Sequence, residues 1–304
     1  MKKISEPIVF FGSGPVAAES LRLLAQDFSI EAIVTKPRAP HHRGEVPVLT
    51  LAEKLHLPTH TVSSKKELSN LFEGKPFASK LGILVDFGVI IPRTVIDYFP
   101  LGIVNSHFSI LPEWRGADPI TFAVLSGQKQ TGVSIMLLVE AMDEGPLLGY
   151  GRYNLSPSVT TPELTGHLIK LSHALLLDTV PKYVQNRTAV PQTITGRQVS
   201  YSRKLTKEDG VLNWNKPAAQ LEREVRAFIE WPKSRTKFGD IELIITKVHV
   251  VDIAGKAGKR TIIDKLPVVY CGQRALAIDR LKPAGKQEMT GEAFLAGYKK
   301  FLLS

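Results

Sequence analysis

The spacing of short apolar runs along the first half of the chain constrains its fold more than any other feature. The runs alternate with segments in which apolar residues recur at helical spacing. Alternating β and α elements bury their apolar faces when helices cover a parallel sheet, so the pattern predicts an α/β domain with a largely parallel sheet. The predicted strands are 8–11, 31–35, 82–86, 102–107 and 132–139, and the clearest helices are 16–26, 48–55 and one from Thr160 or Thr161 to Tyr183.

The last third of the chain has a different pattern. Residues 188–202 are polar, contain Pro191 and Gly196, and show no sustained periodicity, which predicts a linker. A helix-like stretch over 217–228 is followed by alternating segments that predict a small β-barrel. We therefore expect a first domain over 1–187, a linker over 188–205 and a second domain over 206–304. The predicted barrel strands are 241–251, 260–264, 266–271 and 275–281.

The positive charge is concentrated at the C-terminal end of the chain. Residues 1–190 carry 18 Lys+Arg against 17 Asp+Glu, whereas residues 191–304 carry 21 against 12. Such asymmetry favours an anionic macromolecular partner, because contacts to several phosphates supply affinity that is independent of sequence. The alternative is a solvated basic face without a partner.

Composition favours a soluble cytoplasmic protein without a membrane segment. The chain has 304 residues and 43% hydrophobic content, which is enough for two modest cores. It contains no apolar run of about 18 residues, and Met1-Lys2-Lys3 is not followed by the apolar core of a secretory signal. Cys271, the single cysteine, is predicted to lie in the core.

Asn105, His107 and Asp143 are the candidate catalytic residues. Asn105 and His107 follow an apolar run and, with strand alternation, project to the same side, while Asp143 follows the next apolar strand. In open α/β sheets ligands bind at the carboxyl ends of the strands. An imidazole, a carboxamide and a carboxylate can together move a proton and stabilise an oxyanion, as acyl transfer to an amine requires, without a metal or a covalent nucleophile. Taken singly, His107 suits a structural role and Asp143 a turn.

A glycine-containing turn near the N-terminus suggests a different chemistry. The segment 12–17 follows a strand and opens a helix, as in a dinucleotide-binding fingerprint. The position of the fingerprint's last glycine is Ala17, and the second strand ends at Thr35 without an acidic residue for a ribose. We favour tight packing of the turn over an NADP-dependent oxidoreductase. His41 and His42 are too few for a metal site.

The string from Asn105 to Pro112, with Asp143 to Gly145 later, resembles the Asn-x-His-x-Ser-x-Leu-Pro and Asp-x-Gly signature of the formyltetrahydrofolate-dependent formyltransferases. The resemblance covers nearly the whole chain and is closest to the members that act on initiator methionyl-tRNA. It implies a Rossmann-like first domain with formyltransferase activity and an OB-like barrel that binds tRNA. Further similar segments are 10–15, 114–120, 206–210, 213–214, 226–228, 231–232 and 289–295.

The resemblance also implies the substrates and the residues that bind them. It implies formyl transfer from 10-formyltetrahydrofolate to the α-amine of methionyl-initiator tRNA, by a monomer without a metal. Asn105, His107 and Asp143 match the family's catalytic trio. The folate-binding residues would be Phe87, Gly88, Ser109, Ile110, Leu111 and Pro112.

Two groups of basic residues are candidates for tRNA contact. The loop after the second strand contains Pro37, Pro40 and Gly44, which predicts a mobile excursion near the expected cleft. A second group lies at the start of the basic C-terminal region. The six candidates are Lys36, Arg38, Arg43, Arg203, Lys204 and Lys207.

Some positions depart from the family pattern. Phe87 replaces the usual Tyr before Gly88, Pro146 replaces an Asp, and the loop 36–46 is short for a tRNA enzyme. A sugar-nucleotide N-formyltransferase can share the catalytic trio, but the basic C-terminal third and Trp231-Pro232 favour tRNA. An RNA-binding protein with a silent formyltransferase domain is disfavoured by the intact trio.

Overall fold

The computed structural model describes residues 4–40 and 44–298, and its contacts group the chain into two compact units. The first unit comprises Met1–Gly116, Gln130–Asn154 and Thr165–Tyr201. The second comprises Ala117–Lys129, Leu155–Leu164 and Ser202–Ser304. Residues 188–201, which belong to the predicted linker, are therefore grouped with the first unit.

The order of the elements along the chain agrees with the predicted alternation in the first unit and the predicted run of strands in the second. The helices are α1 (Pro15–Asp27), α2 (Pro47–Lys54), α3 (Lys65–Glu73), α4 (Arg93–Ile96), α5 (Pro119–Ser126), α6 (Thr161–Asn186), α7 (Ala218–Ala227) and α8 (Gly291–Tyr298). The strands are β1 (Ile4–Gly12), β2 (Phe28–Thr35), β3 (Thr59–Thr61), β4 (Leu81–Val85), β5 (Ile103–His107), β6 (Arg115–Gly116), β7 (Gln130–Leu137), β8 (Leu147–Asn154), β9 (Tyr201–Ser202), β10 (Ser234–Phe238), β11 (Ile241–Val251), β12 (Arg260–Ile263), β13 (Leu266–Tyr270), β14 (Ala275–Pro283) and β15 (Met289–Thr290).

The first unit is built on a seven-stranded sheet in the order β3-β2-β1-β4-β5-β7-β8. The strands from β3 to β5 are parallel, whereas β7 pairs antiparallel with β5 and β8 antiparallel with β7. The prediction of a largely parallel α/β sheet is confirmed. Within the described residues, none of the helices is long and apolar enough to cross a bilayer.

The central strands are apolar because helices or loops cover both faces of the sheet. Ile8 to Phe11 of β1 are fully buried. The ring of Phe11 packs against the rings of Phe72, Phe87 and Phe99 at centroid distances of 6.0, 5.7 and 5.9 Å. These contacts connect the core to the loop that follows β4, since Phe87 lies in that loop.

The turn between β1 and α1 requires small residues. A Cβ on Gly12 would lie 2.6 Å from the Phe10 ring and 2.7 Å from the Cβ of Ala17. Gly14 has φ +90°, which a side chain rarely tolerates. The close packing at Gly12 and the positive φ of Gly14 both agree with the interpretation that small residues allow a tightly packed turn.

The second unit contains a six-stranded antiparallel sheet in the order β10-β11-β14-β13-β12, with β15 paired to β14. Its core is formed by the sheet together with α7 and α8, through buried residues such as Leu221, Val225, Ile278 and Phe294. This confirms an antiparallel β domain at the C-terminal end. The closure of the sheet into an OB-like barrel stays a prediction.

Cys271 lies in this core, as predicted, and is 2% exposed. Burial disfavours the thiolate and raises the pKa of the Cys271 thiol to about 11. At pH 8 only about one thiol in a thousand is then ionised.

We expect Cys271 of the folded protein to react very slowly with a thiol-specific disulfide reagent at pH 8. Release of the coloured thiolate measures the reaction, and because the chain has a single cysteine the signal has one source. The same protein in guanidinium chloride should react stoichiometrically within minutes. Fast modification of the folded protein would show that the second unit opens readily or packs differently.

Candidate active site

The strand β5 places Asn105 and His107 on one face of the sheet. All five residues of β5 are buried. The hydroxyl of Ser106 bonds that of Ser172 on α6 at 2.6 Å, so Ser106 faces α6. Because strand residues alternate, Asn105 and His107 face away from α6, on the same side, as predicted.

The carboxamide of Asn105 is available to a ligand. The residue is 6% exposed, and its side chain makes no hydrogen bond to any residue in 4–40 or 44–298. Neither polar atom of this side chain is completely buried, so water or a ligand can reach the amide. Its two N–H donors can therefore be supplied to an oxygen that enters the site.

The two nitrogens of His107 have different surroundings. Nε2 lies 2.9 Å from the backbone oxygen of Trp114, and Nδ1 lies 3.7 Å from Oδ2 of Asp143. A carbonyl oxygen only accepts, so Nε2 carries the proton in the neutral ring and Nδ1 has the lone pair. The gap to Asp143 is too long for a hydrogen bond, but such gaps often tighten when substrate binds.

The carboxylate of Asp143 is held by a backbone N–H. Its Oδ2 accepts from the N–H of Gly116 at 2.7 Å, and the residue has φ +52°, which Asp tolerates better than most residues. The side chain is 13% exposed. Asp143 therefore combines a fixed orientation with access to the solvent.

Asp143 does not approach His107 from the end of a neighbouring parallel strand. Because β7 is antiparallel to β5, Leu137 at the end of β7 pairs with Val104 near the start of β5. The segment 138–146 then carries Asp143 to within 3.7 Å of His107. A loop, rather than the direction of the strand, brings the carboxylate to the imidazole.

Residues of the predicted linker also take part in this site. The side chain of Gln192 donates to the carbonyl oxygens of Asp143 and Gly145 at 2.7 and 2.9 Å. The hydroxyl of Ser200 accepts from the N–H of Trp114 at 2.9 Å. Neither residue is predicted from the sequence, because a polar residue in a polar segment has no pattern that identifies its partner.

The predicted folate-binding residues Ser109 to Pro112 form a buried turn, with a cis bond between Leu111 and Pro112. The hydroxyl of Ser134 donates to the Ser109 carbonyl at 2.8 Å and accepts from the Leu111 N–H at 2.9 Å. The hydroxyl of Thr195 donates to the Leu111 carbonyl at 2.8 Å. Several backbone groups of the turn are thus used internally, so its part in a folate pocket stays a prediction that depends on shape.

The other two predicted folate-binding residues differ in exposure. Phe87 is 1% exposed and belongs to the core, whereas Gly88 is exposed with φ +66°. A Cβ on Gly88 would lie 2.8 Å from Nζ of Lys36. The ammonium of Lys36, predicted to contact tRNA, thus lies beside a predicted folate residue.

The remaining basic candidates have varied surroundings. Arg38 donates to the Gly44 carbonyl within its own loop at 2.9 Å. Arg203 forms two bonds to the carboxylate of Asp209, which hold the pKa of that carboxyl well below its usual range. Lys204 and Lys207 are exposed. Arg43, and with it His41 and His42, lies outside the described residues.

We expect the His107 ring to be the Nε2–H tautomer when it is neutral. Long-range proton–nitrogen NMR spectra of protein labelled at histidine distinguish this tautomer by nitrogen shifts, and a His107→Gln variant assigns the signal among the eight histidines. An Nδ1–H signal would contradict the bond to the Trp114 carbonyl.

Comparison with known proteins identifies the family to which this chain is similar. The formyl transferase family model matches residues 8–180, and the model of the formyl transferase C-terminal domain matches residues 204–299. A relative from Pseudoalteromonas translucida, named methionyl-tRNA formyltransferase, is 34% identical over 300 residues, which cover 95% of this chain and 93% of the relative.

Solved structures share the fold at low sequence identity. An N-formyltransferase from Helicobacter canadensis, in complex with folinic acid and dTDP-3-aminofucose, has a TM-score of 0.66 at 16% identity and covers 91% of this chain and 99% of its own. HypX from Aquifex aeolicus, in complex with tetrahydrofolic acid, has a TM-score of 0.63 at 13% identity and covers 98% of this chain. This chain spans about half of HypX, 47% of its length. With both of its domains matched, the chain belongs to the formyl transferase family.

Proposed function

We propose that this protein transfers the formyl group of 10-formyltetrahydrofolate to the α-amino group of methionyl-initiator tRNA. The observation that carries the proposal is the 3.7 Å approach of Asp143 to His107, which lies on the same side of β5 as Asn105. It occurs in a chain that resembles a named methionyl-tRNA formyltransferase over 95% of its length. The full-length similarity therefore supports methionyl-initiator tRNA as the acceptor. The similarity and the site together support formyl transfer as the reaction.

The reaction makes one C–N bond and breaks another. The neutral α-amine attacks the formyl carbon, the bond between that carbon and N10 breaks, and one proton passes from the amine to the departing N10. Negative charge develops on the formyl oxygen during attack, and donors aimed at it lower the barrier. The protein must therefore provide an oxyanion donor and a proton acceptor near the amine.

The three candidate residues suit these tasks. The unpartnered Asn105 carboxamide is the donor for the oxyanion. The Asp143 carboxylate accepts the amine proton and orients the ring of His107. Once protonated at Nδ1, His107 stabilises the oxyanion and can return a proton towards N10.

Two exposed apolar side chains support a folate site beside the trio. Ile90 follows Gly88 and is 74% exposed, and Met142 precedes Asp143 and is 67% exposed. Both flanking segments pack on the same core cluster, through Val89 and Leu138. Apolar surface of this kind fits the flat ring of a folate, and the related structures named above contain folates.

We expect Asp143→Asn and His107→Ala each to lower kcat for formylation of methionyl-initiator tRNA by ~10²–10³, because each removes a group that acts in the transition state. The double variant should lose little more than either single variant, since the two groups act as a unit. Folate binding, followed by fluorescence titration, should stay intact.

The same assay should include a dTDP-amino sugar as an alternative acceptor. Normal turnover of purified Asp143→Asn would remove Asp143 from the mechanism. Formylation of the amino sugar in preference to the tRNA would show that the assigned acceptor is wrong.

We further propose that Lys204 and Lys207 contact the tRNA backbone, with the second unit as the tRNA-binding part. The double variant Lys204→Ala with Lys207→Ala should weaken tRNA binding and flatten the plot of log affinity against log salt, by about 0.7 to 0.9 for each phosphate that these lysines neutralise. The exposed pair Lys65 and Lys66 on α3 provides a control with the same loss of charge. Equal salt slopes for the two double variants would count against a specific contact.

A further inference from the structure

The loop that carries Asp143 is tied down by a segment that follows α6. We call residues 190–200 the tie segment. It begins with two backbone bonds between Val190 and Leu147, at 2.7 and 2.8 Å, which attach it next to the end of the Asp143 loop. At its other end Ser200 accepts from Trp114, the residue whose carbonyl bonds His107.

We propose that Gln192 of the tie segment is a positioning residue that sets the distance and orientation of Asp143 relative to His107. The inference rests on the proposed function, since it assigns Gln192 to the same reaction. Gln192 acts through Asp143 and has no direct role at the reacting atoms.

Every hydrogen-bonding group of the Gln192 side chain is used in the site. The residue is 7% exposed. Its Nε2 donates to the carbonyls of Asp143 and Gly145, on either side of Glu144. Its Oε1 accepts from the guanidinium of Arg115 at 2.8 and 3.3 Å. Two accepting carbonyls and a donating cation fix the orientation of the amide, so neither a carboxylate nor a hydrocarbon can replace it.

Arg115 extends this network to the carboxylate itself. Its guanidinium bonds Gln192 and also pairs with Glu144 at 2.8 Å. The residue after Arg115 is Gly116, whose N–H donates to Oδ2 of Asp143. Gln192 therefore holds the main chain of Asp143, and its partner Arg115 is adjacent to the glycine that holds the Asp143 side chain.

The geometry of Asp143 needs such support. Its backbone has φ +52°, and its neighbour Gly145 packs so closely that an added Cβ would lie 1.7 Å from the Leu137 carbonyl. The 3.7 Å distance to His107 has to close in the reaction, and errors of about 1 Å in such geometry can cost about 10²-fold in rate. A loosened loop should therefore slow the chemical step more than substrate binding.

The decisive variant is Gln192→Glu. It keeps the acceptor for Arg115 but directs a carboxylate at two carbonyl oxygens, which breaks the tie to the Asp143 loop and adds one negative charge beside it. Gln192→Met removes the same donor without adding charge and is measured alongside it. Gln130→Glu is the matched control: Gln130 also accepts from an arginine at 2.8 Å, Arg197 of the tie segment, and the new carboxylate still accepts from it, so the segment keeps this bond. Gln130 begins β7, at the opposite end of that strand from the Asp143 loop.

We expect Gln192→Glu to lower kcat by about 10- to 100-fold with the KM values for folate and tRNA unchanged. The NMR signals of the His107 ring should move in Gln192→Glu and also in the uncharged Gln192→Met, and stay in place in Gln130→Glu, because the carboxylate neighbour of His107 is displaced only when the Gln192 amide is lost.

The outcomes distinguish a failure of this proposal from a failure of the proposed function. If the wild-type protein formylates an amino sugar instead of tRNA, the acceptor is wrong, and the effect of Gln192→Glu is measured on that acceptor. The NMR comparison needs no activity at all. Wild-type kcat with unchanged His107 signals in folded Gln192→Glu overturns the positioning role. If Gln192→Glu fails to fold, the measurement on Gln192→Met takes its place, because methionine has a similar shape without the amide. If neither variant folds, Gln192 has a structural role and the proposal is overturned.

Discussion

The candidate site depends on the antiparallel pairing of β7 with β5. In a wholly parallel sheet the polar ends of adjacent strands lie at the same edge, and side chains there meet without further help. Here β7 ends beside the start of β5, so the chain must return along the sheet before Asp143 can approach His107. The loop 138–146 makes this return, and a loop has less intrinsic rigidity than a strand. The bonds from Gly116 and Gln192 supply the missing rigidity.

Local sequence pattern predicted most strands of both units, whereas the prediction of the trio also needed the resemblance of the string from Asn105 to Pro112 to a known family. The apolar runs in β1 and β4 are nearly continuous because these strands are buried on both faces. The strand β8 was not predicted, since Gly149, Gly151 and Arg152 interrupt its apolar pattern. The antiparallel direction of β7 could not be predicted either, because apolar alternation is the same in both directions.

The tie segment shows a second limit of sequence reasoning. Its residues are polar and interrupted by Pro191 and Gly196, which is the ordinary composition of a linker. Their partners lie far away in the chain, so no local spacing identifies them. Whether a segment of this composition is a linker or part of a site depends on the groups that its side chains contact. Only the folded structure shows these contacts.

Several cations of the second unit bind groups within the unit. Arg203 is bonded to Asp209, Lys216 to the buried Glu224, and Arg280 to Glu288. Two more arginines donate to backbone carbonyls, Arg223 to Leu125 and Arg226 to Val159. These contacts engage five of the 21 Lys and Arg residues at positions 191–304, and pairing with a carboxylate leaves the excess of nine positive charges over these positions unchanged.

The late position of the tie segment in the chain affects the order in which the protein can mature. Gln192 bonds a residue 49 positions earlier, and Ser200 bonds one 86 positions earlier. During synthesis the chain emerges from its N-terminus, so the strands of the first sheet, His107 and Asp143 can all be in place before residue 190 is made. A nascent chain at that stage can form the bond from Gly116 to Asp143 but lacks those of Gln192 and Ser200. The candidate site would then gain these bonds only after the tie segment itself has been synthesised.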